Sequence, residues 1–233
     1  VIAERRVMFG ALALETRPWK DAPPEAMASA LCTGLRDLGP DLFETVLPWP
    51  AAAHGLRARI GWLRAQGGTL AGELPDMTAL GLLETLEDWL LPFLSGETRP
   101  EALAAQTLQT ALETALGRAL IAAVDRAAPA HYETPLGGRA AIDYSAETPR
   151  LTLRVQELFG ETRHPVAGDP PVPLVLELTS PAGRPVQRTR DLPGFWRSSY
   201  ADVAKEMRAR YPKHPWPDDP AGAAPTRRTK RRG

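Results

Sequence analysis

The pattern of apolar and polar positions divides the chain into a helical stretch and a strand-rich stretch. VIAERRVMFGALALETR (1–17) alternates from Met8 onward, the period of one or two strands completing a sheet begun upstream. From Asp21 the period changes: Met27, Leu31, Leu35 and Leu38 recur on one helical face until Gly39-Pro40 ends it. Asp21 is placed to accept the first free amides of this helix, and the prolines behind it suit a first turn. A second helix is predicted over about 50–65, with Leu56, Ile60 and Leu63 on one face and Arg57, Arg59 and Arg64 on the other. Gly67-Gly68 opens a loop. The run from Met77 to Leu94 is so rich in leucine that most of its faces must be buried, leaving Glu84, Glu87 and Asp88 to water. Pro92 kinks or ends it. Helices over 100–115 and 116–127 follow, with Leu103, Leu108, Leu112, Leu116, Leu120, Ile121 and Val124 as core.

After Pro129 the period falls to two. HYETPLGGRAAIDYS reads as a hairpin around Gly137-Gly138, glycine supplying the positive φ of the turn. LTLRVQEL alternates and passes into a short helix at Gln156–Phe159. VPLVLELTS is an apolar strand, Ser180 to Gly183 a turn, and PVQRTRD its partner. These strands predict a small antiparallel sheet or a partly closed barrel. A final helix from Pro193 to Tyr211 sets Phe195, Tyr200, Val203, Met207 and Tyr211 near one side, with Arg197, Lys205, Arg208 and Arg210 on the others. The fold class is therefore α+β: a helical middle followed by a small antiparallel β module capped by a C-terminal helix. The predicted divisions are a strand remnant (1–20), a helical region (21–128), a β-rich module with its closing helix (129–211), and a Pro-rich strap with a basic tail (212–233).

Composition narrows the function. The 233 residues carry 28 basic and 28 acidic side chains, so no global bias toward nucleic acid or membrane exists. The distribution is uneven, however. From Lys205 onward nine Lys/Arg face three Asp/Glu, an asymmetry that suits an acidic partner. One cysteine, Cys32, excludes an internal disulfide and fits a reducing cytoplasm; on a helix it reads as a small packing residue. No apolar run is long enough to span a membrane, and no signal peptide is visible.

Candidate chemistry is concentrated at the C-terminus. His54, His131, His164 and His214 form no HxxxH, and no CxxC exists, so no zinc site has the needed local spacing. His131 and His164 read as structural, hydrogen-bonded histidines. Asp143 is a base in principle, yet no G-x-S-x-G elbow or carboxylate pair accompanies it. Trp89 and Phe93, at helical spacing in a leucine run, read as core. Arginines 57, 59 and 64 form either a solvated face or a path for phosphates, and the sequence leaves both open. Pro212, Pro215, Pro217 and Pro220 fix φ and remove backbone donors, so the segment around Trp216 must be an extended strap. Phe195 and Trp196 read as anchors of the last helix, whereas Trp216 either packs in a crevice or stacks on a base. The candidate nucleic-acid-binding residues are Arg197, Lys205, Arg208, Arg210, Lys213, Trp216, Arg227, Arg228, Lys230, Arg231 and Arg232. Such cations neutralise phosphates without reading sequence.

RDLPGFWRSSYADVAKEMRARYPKHPWPDDP followed by PTRRTKRR resembles the extreme C-terminus of bacterial HrpB-type DEAH-box RNA helicases. LEDWLLPFL (86–94), AAPAHYETPLGGRAAIDYS (127–145), LTLRVQELFGETRHP (151–165) and RPVQRTRDL (184–192) agree in the same order. The resemblance implies the accessory C-terminal region of an ATP-dependent RNA helicase, with RNA and the parent's motor domains as partners. No GxxxxGK[ST] and no DEAH string occurs, and the chain opens at Val1 in a strand-like run. The motor domains, with their ATP and Mg²⁺, are thus expected upstream, with no cofactor and no catalysis in this chain itself. The competing class is a non-catalytic protein-interaction module with no nucleic-acid role.

Overall fold

The computed structural model describes residues 2–19, 21–94, 97 and 99–229. By internal contacts the chain forms two units, Val1–Gly61 with Leu74–Ala122 and Trp62–Glu73 with Ala123–Gly233.

The first unit opens with an antiparallel hairpin, β1 (Glu4–Phe9) and β2 (Leu12–Pro18), whose strands pair with no other strand among the described residues. Every residue in both strands is exposed, including Val7, Met8, Phe9, Leu12 and Leu14. Helix α1 (Pro24–Val46) is bent rather than ended at Gly39, whose φ of 76° only glycine adopts cheaply, with Pro40 beginning the second arm. Asp21 is not its cap, contrary to expectation. Pro23 holds the cap position without a side-chain hydrogen bond, and Asp21 lies two residues too far upstream. Helix α2 (Ala51–Gln66) follows as predicted and contributes residues to both units.

The predicted helix over 77–94 is broken into α3 (Ala79–Glu84), α4 (Leu86–Trp89) and a 3₁₀ turn, Leu91–Phe93. Thr78 caps α3 by accepting from the Gly81 amide at 3.2 Å. Thr85 leaves helical geometry, its hydroxyl donating back to the Gly81 carbonyl at 2.9 Å. The two helices predicted over 100–127 are a 3₁₀ turn, Pro100–Ala102, and one helix, α5 (Ala105–Ala127), kinked where Gly117 takes φ 73°. Trp89 is buried as expected, its indole N–H donating to the Leu82 carbonyl at 2.9 Å. It stacks on Trp49 at 5.9 Å between ring centroids.

The second unit is built on a five-stranded sheet of order β3-β4-β5-β8-β9. Its strands are β3 (His131–Glu133), β4 (Arg139–Asp143), β5 (Arg150–Arg154), β8 (Val175–Thr179) and β9 (Pro185–Thr189). The predicted hairpins at Gly137-Gly138 and at Ser180–Gly183 both form. One pair, β5 with β8, is parallel. The chain between them crosses over through a 3₁₀ turn, Val155–Glu157, and a two-residue ladder of β6 (Val166–Ala167) and β7 (Val172–Pro173). Leu151, Leu153, Leu176 and Leu178 form the buried side of the sheet.

The predicted closing helix is two helices, α6 (Leu192–Arg197) and α7 (Tyr200–Arg210). Asp191 caps α6, accepting from the Gly194 amide at 2.9 Å, and Ser198 ends it with its hydroxyl on the Gly194 carbonyl at 2.7 Å. Phe159, Phe195, Trp196 and Tyr200 pack as one aromatic cluster with centroid separations of 5.0–6.1 Å. Phe195 and Trp196 are thus anchors, as the spacing suggested.

Candidate nucleic-acid interface

Four prolines between 212 and 220 leave the C-terminal strap short of donors, so it can be held mainly through its carbonyls. That is how it is held. The carbonyl of Pro215 accepts from the buried Gln156 side chain at 3.0 Å, and that of Pro217 from the Tyr200 hydroxyl at 3.0 Å. The carbonyl of Pro220 accepts from the Gly160 amide at 2.9 Å. Arg208 points two N–H groups at the carbonyl of Trp216, at 2.6 and 3.1 Å, and also pairs with Asp218. Trp216 is only 4% exposed, which leaves no ring face for a base. Burial raises the Tyr200 phenol pKa, so the proton it donates to the strap stays in place across ordinary pH.

The cationic candidates separate into two groups. Arg208 clamps the strap, Arg210 pairs with Glu206 one turn away at 3.1 Å, and Arg227 reaches the buried carboxylate of Glu157 at 2.8 Å. Glu157 raises the Arg227 pKa through that hydrogen bond. Arg208 and Arg227 tie distant segments together, whereas the Arg210–Glu206 pair is exposed within one helix and adds little. Arg197, Lys205, Lys213 and Arg228 are exposed and have no side-chain hydrogen bond or ion pair among the described residues. Lys230, Arg231 and Arg232 lie outside the described residues.

Elsewhere the ambiguous residues become definite. Arg57 lies over the Trp49 ring at 4.6 Å, donates to the Met77 carbonyl at 3.0 Å and forks onto Glu44, so it is a structural arginine. Arg59 is 9% exposed. Cys32 is buried, and burial, then Glu87, pushes its thiol pKa up, away from reactivity. Asp143 is spent on a turn, accepting from the Ser145 amide at 2.8 Å, which lowers its pKa. His131 lies 3.3 Å from an Arg139 nitrogen. His164 bridges two elements: one ring nitrogen meets the Leu174 carbonyl at 2.8 Å and the other accepts from the Leu192 amide at 3.0 Å. Burial lowers its pKa and favours this neutral form.

Three more arginines, 150, 188 and 190, which no spacing in the sequence groups, line one cavity. Among the described residues no cluster of three or more His, Cys, Asp or Glu could hold a metal ion. Nor is any described helix long and apolar enough to cross a membrane.

Residues 89–220 match the family model described as ATP-dependent helicase C-terminal. The chain is 42% identical over 230 residues to the ATP-dependent RNA helicase HrpB of Escherichia coli, covering 98% of this chain and 28% of that protein. A crystal structure of the E. coli DExH-box NTPase HrpB superposes with a TM-score of 0.78 at 41% identity, over 97% of this chain and 27% of that one. A second, of the E. coli DEAH/RHA helicase HrpB, gives 0.68 at 38% identity, over 91% and 26%.

Proposed function

The chain belongs to the HrpB-type ATP-dependent helicase C-terminal family, and from that premise we propose that it is an RNA-contacting accessory region. It serves a cytoplasmic helicase whose motor domains, outside this chain, bind ATP and Mg²⁺ and supply the unwinding. The observation carrying the reading is the set of exposed cations, Arg197, Lys205, Lys213 and Arg228, that no protein group neutralises among the described residues. Unpaired guanidinium and ammonium groups suit phosphates of any sequence, each contact releasing counterions. Trp216 takes no part. The cations after Arg228 belong to the same proposed contact.

The test is binding of labelled single-stranded RNA to the 233-residue chain across a salt series. These four phosphate contacts on a single strand contribute about −2.8 to the slope of log affinity against log salt. Glutamine at all four positions should flatten the slope by about that amount. Absence of binding at low salt, or binding indifferent to salt, sinks the proposal.

A second reading rests on the hairpin. Ile2 (85% exposed), Phe9 (74%), Leu12 (67%) and Leu14 (65%) present apolar surface that suits docking against other parts of the parent helicase. Docking of this kind tolerates salt and fails when Phe9 and Leu12 are made polar.

A further inference from the structure

The outward side of the five-stranded sheet carries charge that the C-terminal cations do not account for. In the parallel β5–β8 pair, partnered residues point the same way. Leu151 with Leu176 and Leu153 with Leu178 face the core, so Arg150 with Val175 and Thr152 with Glu177 face outward. Strand β9 adds Arg188 opposite Glu177 on that outward side, and Arg190 follows just beyond the strand. Arg150, Arg188 and Arg190, together with Glu147, Thr148 and Thr189, line an open cavity of about 570 Å³.

The three guanidiniums are under-used. None has a side-chain hydrogen bond or ion pair among the described residues, and the Nε of Arg150 is buried with no acceptor. Glu147 is the one carboxylate lining the cavity. Asp143 lies opposite Arg150 on β4 and attracts it electrostatically, but its hydrogen bond goes to the Ser145 amide and leaves the Arg150 Nε without an acceptor. Glu177, opposite Arg188, accepts from the Thr152 hydroxyl at 3.2 Å. A neighbouring cavity of about 480 Å³ shares Arg188 and continues past Thr152, Glu177, Thr179 and Val186 along the sheet. A buried guanidinium N–H without a protein acceptor must take its partner from outside the protein, and a phosphate oxygen, which accepts and carries opposite charge, suits it better than water.

We propose that this cavity is a phosphate subsite for the backbone of a single RNA strand, resting on the RNA reading above. The Arg150 Nε–H donates to a phosphate oxygen. Arg188 and Arg190 neutralise the charge there and at the neighbouring phosphodiester. The strand then runs along the sheet face past Thr152 and Val186. This site is distinct from the C-terminal cations and separable from them by substitution.

The experiment compares R188Q/R190Q with the unaltered 233-residue chain, using labelled oligouridylate over a salt series. R118Q/R126Q, with the same charge change on exposed positions of α5, is the control. Far-UV melts establish that all three are folded. Loss of two contacts flattens the salt slope by about 1.4 in R188Q/R190Q and leaves the control unchanged. In the unaltered chain the Arg150 Nε–H resonance shifts on addition of the same RNA. RNA binding with an unchanged slope in R188Q/R190Q overturns the subsite while leaving the RNA reading standing. Equal flattening in the control overturns it too, as a mere effect of net charge. Failure of the unaltered chain to bind overturns both.

Discussion

Replacing Trp216 by alanine should unfasten the C-terminal strap. The indole is 4% exposed, and its N–H sits 3.4 Å from the Tyr211 carbonyl, a long bond of little worth, so the loss is almost entirely packing. A buried aromatic of this size removes about 200 Å² from water, worth about 5 kcal/mol at 25 cal/mol per Å² as an upper bound. Measured aromatic-to-alanine changes fall at about 3–5 kcal/mol. The strap can also peel away as a unit, so the observed cost stops at the free energy of peeling. The peeled state strands donors on Gln156, Tyr200 and Arg208, which keeps that ceiling high. Urea unfolding followed by far-UV circular dichroism should therefore show a loss of about 3–4 kcal/mol for W216A, with W216F intermediate. A loss below about 1 kcal/mol, or RNA affinity falling in W216A while stability holds, would refute the strap as a packed element.

Two further outcomes follow from the same geometry. Arg57→Lys keeps the charge but loses the fork on Glu44 and the flat contact with Trp49, and should cost about 2 kcal/mol in thermal or urea unfolding; a neutral result would return Arg57 to the solvated class. His164 has a folded-state pKa below its unfolded value, so the unfolded chain takes up the proton first as pH falls. Stability should hold above about pH 6.5 and decline below it as pH approaches the folded pKa. His164→Gln should remove that part of the decline, and an identical acid profile in the variant would show that the histidine is not its source.

Local chemistry wrote much of this fold into the sequence. Gly137-Gly138 and the turn ending at Gly183 mark hairpins that form where turn chemistry demands them. Prolines 212–220 dictate an extended strap, and Gly39-Pro40 marks a change of helix direction, though the bend links two arms rather than ending the helix. What could not be read is what each segment lies against. The leucine-rich run at 77–94 looks like one helix by periodicity, yet a threonine hydroxyl at residue 85 competes with the backbone and breaks it. Arg208 and Arg227 read as RNA-binding candidates, and Arg57 as a solvated or phosphate-facing arginine, because side-chain type says nothing of the carbonyl, carboxylate or tryptophan that the fold sets against each. Arg150 and Arg188 are brought together by a crossover that makes β5 and β8 parallel, and parallel register leaves no local signature.

The grip on the strap, made mainly through its carbonyls, changes what a deletion means. A chain cut at residue 212 looks like the removal of a flexible, charged end. In fact it takes away the acceptors of Gln156, Tyr200 and Arg208 and the ring that fills the crevice beneath them. Weaker RNA binding in such a chain would report a damaged β module as readily as a missing contact. The informative boundary lies at Arg228, past the last anchoring contact among the described residues, that of Arg227 with Glu157. From that point on, removing Arg228, Lys230, Arg231 or Arg232 changes charge while the strap contacts described above are kept.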